Sequence, residues 1–146
     1  MDRWDVFVSY ARRDAARVRP LAAALTGHGL RVFLDEYGVR DFRSLSRIIG
    51  TELGRAKLLL AYYSITYPTR PACQWELTVA YLAGQREGDP LRRVLVVNPE
   101  PAAGHIHPVE LRDTRRWPGL TRAALAELVG QVAGHVRGLA GPIGLA

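Results

Sequence analysis

An α/β fold, with a central parallel sheet of about five strands and helices on both faces, follows from three observations in this 146-residue sequence. Short apolar runs alternate with stretches of helical periodicity from Trp4 to the C-terminal region. The runs Val6-Phe7-Val8 and Leu58-Leu59-Leu60 are apolar without a break, as strands buried on both faces require. Turn-forming residues separate the segments, so each helix carries the chain back to start another parallel strand.

The first strand is read at Trp4 to Tyr10. Asp14 is a plausible N-cap for a helix carrying Val18, Leu21, Ala22 and Leu25, which Gly27 and Gly29 end. Leu30 to Leu34 reads as the second strand, closed by Asp35 and Glu36. A polar loop from Tyr37 to Ser44 precedes a short helix with Leu45, Ile48, Ile49 and Leu53. Lys57 to Ser64 is the third strand and the most apolar. Pro71 suits the first turn of the next helix, which runs to about Gly84. Arg93 to Val97 is a fourth strand, and a short fifth is expected near Val109 to Leu111. The last helix begins near Thr121 and carries an apolar stripe of Leu125, Leu128, Val129, Val132, Val136 and Leu139.

Composition bounds the function. Hydrophobic residues make up 48% and charged residues 23%, enough apolar surface for one folded domain. The single cysteine, Cys73, excludes an internal disulfide and fits a reducing, cytoplasmic setting. No run approaches the roughly 18 apolar residues that span a bilayer, and the N-terminus opens directly into a strand without a signal-peptide pattern. The net charge of +6 comes from scattered arginines without interleaved aromatics, so neither specific nucleic-acid binding nor a membrane partner is expected. His105 and His107 have ligand-like spacing but no evident third ligand, so no metal site is read there.

Glu76 is the residue that most invites a functional reading. In a helix its neighbours at three and four residues are Ala72, Cys73, Val79 and Ala80, all apolar. A carboxylate on such a face is either buried against a partner or lines a pocket. A salt bridge to one of the many arginines and a dipole-favoured position near the helix N-terminus are the plain alternatives. In a parallel sheet the working site lies past the carboxyl ends of the strands. Those ends present Ser9-Tyr10-Ala11-Arg12, then Asp35-Glu36-Tyr37, then Ser64, and the helix of Glu76 starts at the same edge. Ser9 and Ser64 are candidates for ribose or phosphate, or for satisfying strand-end backbone groups. Cys73 reads as a packing residue, since no histidine lies near it to activate a thiol.

Several of these segments carry a family resemblance. Asp5-Val6-Phe7-Val8-Ser9-Tyr10 resembles the first box of the Toll/interleukin-1 receptor (TIR) domain family, with Asp14 at an often acidic position. Arg31-Val32-Phe33-Leu34-Asp35 is similar to its second strand, leading into the loop called BB. Ser64, Tyr67 and Cys73-Gln74-Trp75-Glu76-Leu77 resemble its third strand and following helix. Trp117-Pro118-Gly119 is similar to bacterial members. Two departures stand out: Ala72 occupies a position that is often tryptophan, and the loop Tyr37 to Ser44 has Gly38 but no Pro-Gly pair.

The resemblance implies a flavodoxin-like three-layer fold, with a TIR domain over 1–140 and a tail or linker over 141–146 leading to a possible further domain. It also implies an activity, cleavage of the nicotinamide–ribose bond of NAD to nicotinamide and ADP-ribose or a cyclic isomer, with Glu76 catalytic. NAD is then a substrate, and no separate cofactor or metal is called for. The transition state is an oxocarbenium-like ribosyl cation, which one carboxylate can stabilise, hold through the ribose hydroxyls, or trap covalently. Substrate contacts are expected from Ser9, Tyr10, Arg12, Phe33, Asp35, Tyr37, Ser64 and Tyr67, the aromatics among them replacing the missing tryptophan as stacking surfaces. Partners would be NAD and further copies of the chain, meeting through TIR–TIR contacts that include Tyr37 to Ser44, in bacterial defence or signalling. The alternative is a TIR domain that only pairs with other TIR domains in signalling. A nucleoside deoxyribosyltransferase-like enzyme fits the opening box less well. A phospho-receiver domain lacks its acidic residues and lysine here, and no Walker-type phosphate loop is present.

Overall fold

The computed structural model describes residues 3–34, 46–113, 117 and 120–144. Four strands, β1 (Trp4–Tyr10), β2 (Val32–Leu34), β3 (Ala56–Tyr62) and β4 (Val94–Val97), pair in parallel in the order β2-β1-β3-β4. The register sets Val6 beside Val32 and Leu58, and Tyr62 beside Tyr10 and Val97. Among the described residues they are flanked by α1 (Ala15–Gly27), α2 (Pro71–Arg86) and α3 (Arg122–Arg137).

Side-chain alternation sorts the two faces. Val6, Val8, Leu58, Leu60 and Tyr62 pack with Val18, Leu21 and Leu25 of α1 and with Leu128, Val129, Val132 and Val136 of α3. Phe7, Leu59, Ala61 and Tyr63 pack on the other side with Cys73, Leu77, Ala80 and Ala83 of α2. This is the three-layer arrangement expected, with both faces of the sheet covered.

The helix ends follow local chemistry. Gly29 adopts φ +95, a conformation that suits glycine, and turns the chain out of α1. Pro71 opens α2, where its missing N–H costs nothing. Thr121 caps α3, its hydroxyl accepting from Ala124 N at 3.2 Å. The chain from Ile49 to Leu53 forms a π-helical turn that buries Ile49 and Leu53.

One expected element is corrected. The fifth strand near Val109 to Leu111 is a 3-10 turn, Val109–Arg112. The amide of Leu111 is spent on Pro108 O at 3.0 Å, Val109 is exposed, and Leu111 is buried as an anchor. The sheet has four strands among the described residues. Beyond α3 the backbone returns to the sheet, with Ile143 N donating to Ala56 O and Gly144 N to Gly54 O, each at 2.7 Å. No helix among the described residues is long and apolar enough to cross a membrane.

Candidate active site

The strand order reverses between β1 and β3, since the chain moves to β2 on one side of β1 and to β3 on the other. A crevice forms at the carboxyl ends of strands at such a switch point. A cavity of about 530 Å³ occupies it. Its described walls are Phe7, Val8, Tyr10, Ala11, Arg12 and Arg13 from the end of β1, and Arg70, Ala72, Cys73 and Glu76 from the start of α2. That volume lies within the usual range of small-molecule sites.

Glu76 is only 6% exposed, yet lines this cavity. The flanking residues on its helix face are apolar as the sequence requires, with Cys73 and Ala80 buried and Ala72 and Val79 half-buried. Ser9 lies two residues beyond Phe7 and therefore faces α2. Its hydroxyl donates to Glu76 Oε1 at 2.7 Å. Ser9 Oγ also lies 2.8 Å from the Tyr67 hydroxyl, and that hydroxyl is 3.3 Å from Cys73 O.

Burial pushes the Tyr67 phenol well above its ordinary value, with the neighbouring Cys73 and Glu76 adding to the effect. Burial likewise pushes the Cys73 thiol up to about 12, the Glu76 carboxylate contributing next. Both groups therefore stay protonated at neutral pH.

The other site residues read from sequence divide as follows. Tyr10 and Arg12 line the cavity with Glu76, and Ser9 touches Glu76 directly. Tyr67 is fully buried, its ring 4.4 Å from that of Tyr63. Phe33 stacks on Phe7 at 5.0 Å and is one side chain removed from the cavity wall. Ser64 is buried and donates to the Asp14 carboxylate at 2.6 Å. Asp35, Tyr37 and the loop to Ser44 lie outside the described residues. His105 Nε2 bonds Tyr63 O at 2.9 Å and His107 Nδ1 faces Arg112 at 3.3 Å.

Arg13 and Arg70 are cavity residues that the sequence reading passed over. Arg70 precedes the helix-opening Pro71, and Arg13 follows the strand end, so the strand-edge rule that singled out Arg12 reaches both. Arg13 donates to Thr66 at 3.4 Å, and neither pairs with a carboxylate among the described residues. The described wall thus holds three guanidinium groups and one carboxylate.

Comparison with known proteins supports the resemblance. No curated protein matches the sequence. The fold is similar to the TIR domain of the Toll-related receptor TRR-2 from Hydra magnipapillata, with a TM-score of 0.66 and 14% identity over 90% of this chain and 99% of that one. It is also similar to the TIR domains of the activated Roq1 resistosome, which recognises the pathogen effector XopQ, with a TM-score of 0.61 and 16% identity over 92% of this chain and 99% of that one. A family model described as TIR domain matches residues 6–129, and the chain belongs to the TIR domain family.

Proposed function

We propose that this TIR domain is an NAD glycohydrolase. The observation that carries the reading is Glu76, a carboxylate almost removed from solvent yet lining a cavity of small-molecule size at the sheet's switch point. A purely structural carboxylate has no need of that cavity. Arg12, Arg13 and Arg70 supply positive charge beside it, as the pyrophosphate of a dinucleotide requires. The N-terminus of α2 adds the favourable end of a helix dipole.

The chemistry suits one carboxylate. The nicotinamide ring of NAD is cationic, so it leaves as a neutral molecule when the C1′–N bond breaks and takes the electron pair. No general acid is needed. Glu76 stabilises the ribosyl cation left behind, and the apolar helix face around it strengthens that interaction. Water then adds to C1′ and releases one proton, giving ADP-ribose, or a nucleophile within the same molecule closes a cyclic isomer.

Activity is proposed to depend on self-association in the cytoplasm through TIR–TIR contacts that include the loop from Tyr37 to Ser44, in defence or signalling. The test is nicotinamide release from NAD at high protein concentration, comparing the parent with Glu76→Gln. Release by the parent, lost in a folded Glu76→Gln protein, is expected. Release that survives the substitution removes Glu76 from the chemistry. No release from the parent favours the alternative, a non-enzymatic TIR–TIR interaction module.

A further inference from the structure

We infer that Tyr67 and Ser9 form a one-directional hydrogen-bond relay that fixes Glu76 Oε1, which makes both of them positioning residues rather than substrate contacts. The role in turnover rests on the glycohydrolase reading; the relay itself rests on geometry.

Hydrogen counting sets the direction. A carboxylate oxygen only accepts, so the single hydroxyl hydrogen of Ser9 is committed to Glu76 Oε1, 2.7 Å away. Ser9 Oγ then accepts across its 2.8 Å contact with Tyr67, and Tyr67 is the donor. The carbonyl of Cys73, at 3.3 Å, is the longer alternative for the same Tyr67 hydrogen. Tyr67 and Ser9 are 0% and 1% exposed, so water does not replace either link. A buried phenol that stays protonated is a permanent donor. Each link polarises the next, and the chain ends on the oxygen that must hold its place beside a developing cation.

Three elements meet in this relay: β1 supplies Ser9, the turn before α2 supplies Tyr67, and α2 supplies Glu76. Nothing in it reaches substrate except Glu76. Loss of a link therefore misplaces the carboxylate in the transition state and leaves ground-state binding nearly intact.

The experiment compares the parent with Ser9→Ala, Ser9→Thr, Tyr67→Phe and Glu76→Gln by two readouts. In steady-state NAD cleavage, Ser9→Ala and Tyr67→Phe are expected to lower kcat about tenfold or more with KM within about twofold, and Ser9→Thr to recover most of the loss. In proton NMR the parent is expected to show a slowly exchanging tyrosine hydroxyl resonance, absent in Tyr67→Phe. It should move upfield in Ser9→Ala and in Glu76→Gln, where a neutral acceptor polarises the chain less. A Tyr67 hydroxyl resonance indifferent to both substitutions overturns the relay. If the parent cleaves NAD and both relay variants keep the parental kcat, the positioning role falls while the glycohydrolase reading stands. If the parent releases no nicotinamide, the glycohydrolase reading falls and the hydroxyl resonance alone decides the relay.

Discussion

Ser64 Oγ donates a 2.6 Å hydrogen bond to the Asp14 carboxylate, so the chain two residues past β3 holds the residue that precedes α1. Asp14 occupies the N-cap position of α1 but makes no capping bond with its side chain. That carboxylate is spent on Ser64 instead. Ser64 also accepts from Thr66 N at 3.3 Å, which shapes the turn leading toward Tyr67. Ser64→Ala is therefore expected to lower stability by about 1.5–3 kcal/mol, the range for a hydrogen bond to a charged group. NAD affinity should change by less than about twofold. Chemical denaturation and steady-state kinetics separate the two effects; a raised KM with unchanged stability would restore Ser64 to the substrate.

The contrast between Glu76 and Ser9 shows how much was legible in the sequence. Glu76 stood out because helical periodicity makes a polar residue on an apolar face visible without coordinates. The sheet core was legible for the same reason, as unbroken apolar runs at Val6 to Val8 and Leu58 to Leu60. That very continuity hides which way each side chain points, since a strand buried on both faces carries no polar alternation to orient it. Strand-end position alone therefore places Ser9 at the edge without revealing its bond to Glu76. Tyr67 has the sequence signature of a stacking surface because an aromatic side chain after a strand does not announce its exposure; the structure buries it completely. Arg13 and Arg70 lie 57 positions apart and looked like scattered charge, until the crossover brought both to one cavity. The irregular stretch after β4 failed for another reason: proline-rich chain bonds locally, as Leu111 does to Pro108, and no pattern distinguishes that turn from a short strand.

Cys73 lines the cavity but is chemically quiet. Burial, followed by the adjacent Glu76 carboxylate, lifts its thiol to about 12. At pH 8 only about one molecule in ten thousand carries the thiolate, against about a quarter for an ordinary cysteine near 8.5. Iodoacetamide should modify Cys73 at least about a hundredfold more slowly in the folded protein than in denaturant, as read by intact mass over time. On the glycohydrolase reading, Cys73→Ala should retain nicotinamide release within about threefold. Rapid labelling of the folded protein would contradict this account of the site.

The exposed guanidinium groups of Arg13 and Arg70 line the cavity beside Glu76. If they meet the pyrophosphate, Arg70→Gln and Arg13→Gln each raise KM for NAD several-fold with kcat little changed, because exposed charges act on binding through a screened field. The penalty should shrink as salt is raised. Nicotinamide riboside carries the same scissile bond and no phosphate, so its cleavage should be indifferent to both substitutions. An equal loss on the riboside would move these arginines from phosphate recognition to maintenance of the cavity.

Arg93 is the largest fully buried side chain and ties four segments together. Its guanidinium donates to Glu87 at 2.6 and 3.0 Å, to Lys57 O at 3.0 Å, to Gly141 O at 2.9 Å and to Ala140 O at 3.1 Å. The Glu87 carboxyl is held below its ordinary value by Arg93 first, against the opposing effect of burial, with Arg92 adding to it. A depressed folded-state value contributes stability that is present above the unfolded carboxyl value and lost as pH falls through the folded one. Arg93→Met should cost about 3 kcal/mol at pH 7, since it strands three carbonyls and a carboxylate, and Arg93→Lys should not rescue a planar fork. Glu87→Gln should cost less, because that carboxylate is partly exposed, and its deficit should narrow in acid as the parent's own carboxyl protonates. The local signature distinguishes a clamp from a general core residue. The amides of Ile143 and Gly144, which bond Ala56 O and Gly54 O, should lose hydrogen-exchange protection in Arg93→Met well before those of α2 do. Uniform loss across the molecule would mean that Arg93 supports the core as a whole rather than fastening the returning chain to the sheet.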